Sequence, residues 1–437
     1  MSKKTFVPAF TPRSLKYVID KKSSHLWYLS VEIPATMTSH IKDHVTRLYR
    51  QYTIMPGISC STLPISYTQH YFAQEIEKET QQFLFEHFIE GNVQNFLQEN
   101  KIATVNWPRL KEITGSAQAG YIITMALSLA PHLALNGWHT HTFVAPRRKN
   151  YTDLDIQVES FIATLDPEII NRNATVETGD WVRFSAQFRS PLVQTPVHSQ
   201  TQYWLRITNP VLTTPEMTQF LNAKIGSQFT VPASALSSRQ ETTFSTDYYF
   251  DITIEHIVKT QKLSVQQVQD CLHVCDHQTL HNKLIEIFSY RNDISLRKAI
   301  IEELFYALFN AFRFEIAPHA ITRRKELLLF LMHQTPDNSV YTKQKHFATH
   351  ITLLAETKLK EEALIDAIAQ FENIHVTPDD ITHYLSLASN ERLKEFLYFS
   401  PLSEESISSD QPCGEYILNQ TVRREKTLNA IIQQIAL

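Results

Sequence analysis

Residues 54–64 read I-M-P-G-I-S-C-S-T-L-P, and this stretch sets the frame for the 437-residue chain. Pro56 fixes φ and Gly57 permits φ > 0, so Pro56-Gly57 predicts a turn, and Pro64 closes the segment. No Lys, Arg, Asp or Glu lies between Arg50 and Glu75. Before the turn, Ile41, Val45, Leu48, Tyr49 and Tyr52 recur at helical spacing. Beyond it, Tyr71, Phe72, Ile76, Phe83 and Phe88 do the same. Two helices are therefore expected to present the loop, a position where recognition loops are found.

Working outward, Trp27, Leu29, Val31 and Ile33 alternate as in a strand that Pro34 ends. Tyr121, Ile123, Met125, Leu127 and Leu129 alternate again. These strands and helices fit one α+β domain. Residues 131–149 carry Pro and Gly with no period and read as an extended linker. Thr152 is the expected N-cap of a short helix, with Asp155 at the capping-box position and Val158, Phe161, Ile162 and Leu165 as its apolar stripe. Between 176 and 260 the period returns to two. The runs are Val182 to Phe188, Tyr203 to Ile207, Phe229 to Val231 and Tyr248 to Ile254, with a weak helix near 215–224. That pattern predicts a small antiparallel sheet over a helix. From Ser264 onward the apolar residues follow a helical period, as at Ile300, Leu304, Phe305, Leu308 and Phe312, and again at Leu327 to Met332. The fold class expected is α+β and multidomain. An α+β domain covers 1–118, a strand and linker 119–150, a sheet domain 151–261 and a helical domain 262–437.

Composition narrows the function. The chain is 43% hydrophobic and 20% charged, enough apolar content to bury sizeable cores. It holds only 8 glycines and no Gly-rich phosphate loop, which argues against nucleotide chemistry. No apolar run approaches the ~18 residues of a membrane span, and no signal-peptide core follows the N-terminus. Cys60, Cys271, Cys275 and Cys413 are too few and irregular for a disulfide framework, so a reducing cytoplasm is expected. Residues 1–115 carry 13 Lys/Arg against 10 Asp/Glu, and the remainder 28 against 35. A mildly basic N-terminal part thus precedes an acidic body.

The run C-L-H-V-C-D-H at 271–277, with His281 beyond it, has zinc-type ligands but lacks a second pair at the proper spacing. It reads as ordinary helix residues, so no metal and no cofactor is expected. The pairs His139/His141 and His40/His44 lack the neighbouring Glu of a zincin helix. No nucleophile elbow occurs. Arg147-Arg148-Lys149, Arg323-Arg324-Lys325 and Arg423-Arg424 read as solvated faces, or alternatively as contacts to phosphate.

Taken in order, these features resemble bacterial trigger factor, the ribosome-associated chaperone, along nearly the whole chain. The family's ribosome-binding signature, P-G-F-R-x-G-K-x-P, falls on Pro56, Gly57, Ile58, Ser59, Cys60, Ser61, Thr62, Leu63 and Pro64. The frame residues Pro56, Gly57 and Pro64 match; the Phe, Arg, Gly and Lys do not. V-E-T-G-D-W-V-R-F at 176–184 looks like the family's opening of an FKBP-like peptidyl-prolyl isomerase domain, with Gly179, Asp180, Val182 and Phe184 at matching positions. F-E-I-A-P at 314–318, E-N-I-H-V-T-P-D-D-I at 372–381 and R-R-E-K-T-L at 423–428 look like landmarks of its helical domain with arms. The aromatic and glycine residues that cradle a twisted prolyl amide are replaced by Ser185, Ala186 and Phe188 and by S-P-L-V-Q-T-P.

The resemblance implies a cytoplasmic chaperone that docks on the large ribosomal subunit near the exit tunnel, through protein and rRNA. It would hold nascent and unfolded polypeptides in an open state and assist folding and export. A homodimer off the ribosome, and no membrane partner, go with it. Isomerase activity is expected to be weak or lost, with no catalytic residue assigned. The alternatives are an active prolyl isomerase whose helical domain recruits substrate, and a ribosome-free holdase.

Overall fold

The computed structural model describes residues 15–52, 64–85, 89–149, 153–166, 175–189, 200–208, 217–232, 249–259, 263–334, 346–401 and 412–436. Among these, no helix is long and apolar enough to cross a membrane. Two compact units emerge. One takes the chain up to Ala130 together with 185–202 and 228–253; the other takes 131–184, 203–227 and 254 onward.

The first unit opens with β1 (Lys16–Lys21), β2 (Leu26–Ile33), α1 (Ala35–Tyr52), α2 (Ile65–Tyr71), α3 (Ala73–Leu84), α4 (Glu90–Glu99), β3 (Arg109–Ser116) and β4 (Gly120–Ser128). The strands form an antiparallel sheet in the order β1-β2-β4-β3. Leu29, Val31 and Ile33 of β2 are buried, as are Tyr121, Ile123, Met125 and Leu127 of β4. Period-two alternation places each set on one face of the pleat. Ile41, Val45 and Tyr49 of α1 are buried too, and α1 packs on α3 and β4. β4 lies past the domain end expected at 118, yet it is an interior strand of this sheet. The β3–β4 turn requires glycine: at Gly120, with φ +94°, a Cβ would lie 2.5 Å from the Ile33 carbonyl oxygen.

The four later period-two runs are β5 (Trp181–Arg189), β6 (Gln200–Arg206), β7 (Gln228–Pro232) and β8 (Tyr249–Val258). The helix expected near 215–224 is a short 3-10 turn, Met217–Phe220. These strands share one sheet in the order β11-β6-β5-β8-β7, whose member β11 is Cys413–Gly414. The helical domain is therefore not wholly helical. It supplies β11, and it contains a two-residue hairpin of β9 (Tyr290–Arg291) and β10 (Ile294–Ser295).

In the second unit, α5 (Leu154–Ala163) starts after its N-cap Asp153, and Thr152 lies outside the described residues. Leu154, Val158 and Ile162 are buried against α6 (Val265–Leu272) and α7 (His277–Phe288). α8 (Leu296–Ala311), α9 (Pro318–Gln334), α10 (Phe347–Phe371), α11 (Pro378–Ser389) and α12 (Glu415–Ile435) follow. Residues 131–149 are not a bare linker. Leu135, Trp138 and Phe143 lie in the core formed by α8, α10 and α12, and the Trp138 indole donates to Glu372 Oε1 at 2.7 Å. An irregular backbone can bury alternate large side chains without showing any period.

Candidate functional site

The run Leu327-Leu328-Leu329-Phe330-Leu331-Met332 on α9 is apolar at six consecutive positions. A helix turns about 100° per residue, so six such residues wrap more than its full circumference. α9 packs against α10. Phe330 is 43% exposed, and the other five are half-buried. On α10, Ile351, Ala355 and Leu359 are buried, while Leu353 and Leu354 are exposed at 60% and 44%. The hairpin thus carries apolar surface on both helices, and apolar patches of this kind mark sites of association. Tyr306 of α8 and Phe371 at the end of α10 are exposed as well.

Below this surface the hairpin is locked by buried charge. Arg324 of α9 donates both Nη atoms to the Glu362 carboxylate of α10, each at 2.7 Å. Arg424 of α12 reaches Glu362 at 3.1 Å and grips Asp366 through Nε at 2.9 Å and Nη2 at 2.6 Å. Burial alone would raise the Glu362 carboxyl, but Arg424 and Arg324 hold it below the usual range. Arg324 and Arg424 are therefore not solvated faces. Basic pairs that look superficial in sequence sit beside acidic residues contributed by other helices, and sequence spacing gives no sign of that. Arg147, Arg148 and Lys149 are exposed as expected.

The landmark 423–428 is accounted for residue by residue. Glu425 Oε1 accepts from the Tyr398 and Phe399 backbone N–H groups. Lys426 reaches Asp380 at 2.7 Å, Thr427 bonds back to the Arg423 carbonyl, and Leu428 is fully buried. In 372–381, Thr377 and Asp380 form a capping box with Pro378 at the first turn of α11.

Of the family-matching positions in the sheet domain, Asp180, Val182 and Phe184 are buried and Gly179 is half-buried. Gly179 has φ +101°. Asp180 is fully buried, accepting from Glu177 N at 2.7 Å and from Lys259 Nζ at 2.8 Å. Val182 and Phe184 are fully buried. The Phe184 ring lies 5.8 Å from Tyr203 and 5.4 Å from Phe220, itself buried. At these positions the side chains fill a core. Ser185 and Ala186 are buried beside them, and the Phe188 side chain lies outside the description.

Of the loop, Pro56, Gly57, Ile58, Ser59, Cys60, Ser61, Thr62 and Leu63 lie outside the described residues. Pro64 is described and precedes α2. That helix exposes Ile65, Tyr67 and Tyr71, and the two tyrosine rings stack at 5.7 Å. Cys271 is buried, which together with Asp270 pushes its thiol up to about 12, whereas Cys275 is exposed. His139 and His141 are exposed, and the side chains of His40 and His44 are not described.

No family model matches this chain, and no curated protein does. Among solved structures, a trigger factor chaperone, described for promiscuous substrate recognition in folding and assembly, aligns over 96% of this chain and 100% of its own. It is 12% identical, with a TM-score of 0.39. A superposition this loose carries no weight for fold or function.

Proposed function

We propose that this protein is a trigger-factor-like chaperone that holds unfolded polypeptides on the apolar hairpin of α9 and α10. The observation that carries this reading is the exposure of Phe330, within the half-buried apolar run 327–332 of α9, and of Leu353 and Leu354 on α10. An unfolded client displays dispersed apolar residues, so its binder needs an extended, adaptable apolar surface instead of one shaped pocket. The ordered landmarks at 176–184, 314–318, 372–381 and 423–428 support the family on sequence grounds. Light scattering of a chemically denatured client, diluted with and without the protein, tests it. Stoichiometric suppression of aggregation is expected, and suppression that survives Phe330→Ser with Leu353→Ser and Leu354→Ser removes the hairpin from the reading.

Three further points belong to the same proposal. The protein works in the cytoplasm. The loop 56–64 docks at the ribosome through its proline-glycine frame, with Arg47, Arg50 and Lys42 supplying charge. Prolyl isomerisation is weak or absent, since the family-matching side chains fill a core and the rotation barrier of ~18–20 kcal/mol demands a cradle for the twisted amide.

A further inference from the structure

The apolar part of the α9–α10 hairpin carries no fixed charge. The eight residues 327–334 and the ten residues 346–355 contain no Asp, Glu, Lys or Arg, in a chain that is 20% charged. Their only ionisable side chains are His333, His346 and His350, and all three are exposed. Helical spacing seats these rings beside the exposed apolar groups. His333 follows Phe330 by three positions on α9, and His350 precedes Leu353 and Leu354 by three and four on α10. Residues at those spacings are neighbours on a helix surface. His346 is the N-cap of α10, one turn before His350. The charged groups of the packed elements lie further along. On α9 these are Arg323, Lys325, Glu326 and Arg324, the last bound to Glu362. On α10, Glu356 pairs with Lys360 at 2.7 Å and Glu361 with Lys358 at 2.9 Å, while Glu362 and Asp366 hold Arg424 of α12. The charge of the apolar surface is therefore set by its imidazoles, the side chains whose charge changes between pH 5 and 8.

We propose that His333, His346 and His350 make this surface select its clients by charge. With the imidazoles neutral, the surface adds no preference for the residues that flank a client's apolar segment. With them protonated, it favours apolar segments flanked by Asp or Glu and disfavours those flanked by Lys or Arg. The inference rests on the client-binding reading above and names the client class that goes with it. Linkage makes the effect reciprocal: an acid-flanked client draws protons onto the three rings as it binds, and a lysine-flanked client drives them off. Exposed charges are screened and individually weak, so the three together give a few-fold effect.

The test uses the full-length protein and three fluorescent peptides that share one Leu- and Phe-rich core, flanked by Glu, by Gln or by Lys. Anisotropy titrations at low salt are compared at about pH 8 and about pH 6, either side of the ordinary imidazole range. On acidification the Glu peptide is expected to bind about threefold tighter and the Lys peptide about threefold weaker, with the Gln peptide nearly unchanged. Combining His333→Gln, His346→Gln and His350→Gln, all at exposed positions, removes both shifts. That variant keeps the wild-type Tm and Gln-peptide affinity, which separates a loss of charge from a loss of fold. Shifts of the same sign for the Glu and Lys peptides, shifts that persist in the triple variant, or binding with no shift at all overturn the inference and leave the client-binding reading standing. No binding of any peptide at either pH overturns both.

Discussion

Burial makes the Glu425 carboxyl a weaker acid than an ordinary glutamate. Burial lifts its carboxyl to about 7, against the opposing pull of the Phe399 N–H, Arg297 and the Tyr398 N–H. Its second oxygen, Oε2, has no hydrogen-bond partner. The folded chain therefore binds this proton more tightly than the unfolded chain, whose carboxyl titrates near ~4.3. Stability from this group is fully present below that value and lost as pH rises to about 7. The Tm of Glu425→Gln relative to wild type should rise across that interval and level off above it. A difference constant with pH would contradict the assignment. Glu362 behaves oppositely, because two guanidiniums hold it ionised. Glu362→Gln leaves Arg324 and Arg424 buried with one carboxylate fewer and should cost about 3–5 kcal/mol in urea denaturation. Replacing Arg324 and Glu362 together by Met should recover much of that. At this scale the sequence marked Arg424, Glu425 and Lys426 as a landmark, while their partners Glu362, Phe399 and Asp380 come from elsewhere in the chain and only the fold identifies them.

Among the elements, legibility followed burial. β2 and β4 were read from alternation because each buries one face in the middle of its sheet. β1 and β3 went unread because they are edge strands, mostly exposed, with polar residues on both faces. The strap 131–149 shows no period because it packs through isolated large residues. The α9 run was legible as helix, but its exposure was not. Six apolar residues in a row imply burial on all sides, whereas Phe330 is exposed and the other five are half-buried. Phe330→Ser, Leu353→Ser and Leu354→Ser lie on that exposed surface. Together they should shift Tm little, since exposed substitutions usually stay within about 0.5 kcal/mol each, while abolishing aggregation suppression. A large loss of Tm would instead place these side chains in a core.

For the molecule as a whole, α+β organisation with several antiparallel sheets was readable from the changes of period, and the structure has it. The division into units was less readable, because β4 joins the N-terminal sheet and β11 joins the later one. On the proposed reading, the loop 56–64 has the proline-glycine frame without basic residues, so ribosome docking should be weak. Ser59→Arg with Thr62→Lys should raise cosedimentation with ribosomes and make it more salt-sensitive. No gain would mean that the loop does not dock in the family's manner. Turnover of a prolyl tetrapeptide at the level of an active isomerase would refute a lost cradle. The central claim concerns the hairpin, and a photo-reactive side chain placed at Phe330, with another at exposed Val144 as control, tests it most directly. Crosslinks to an unfolded client from position 330, absent with the same client folded and absent from position 144, are the predicted result. Equal labelling from both positions, or none from 330, would contradict it.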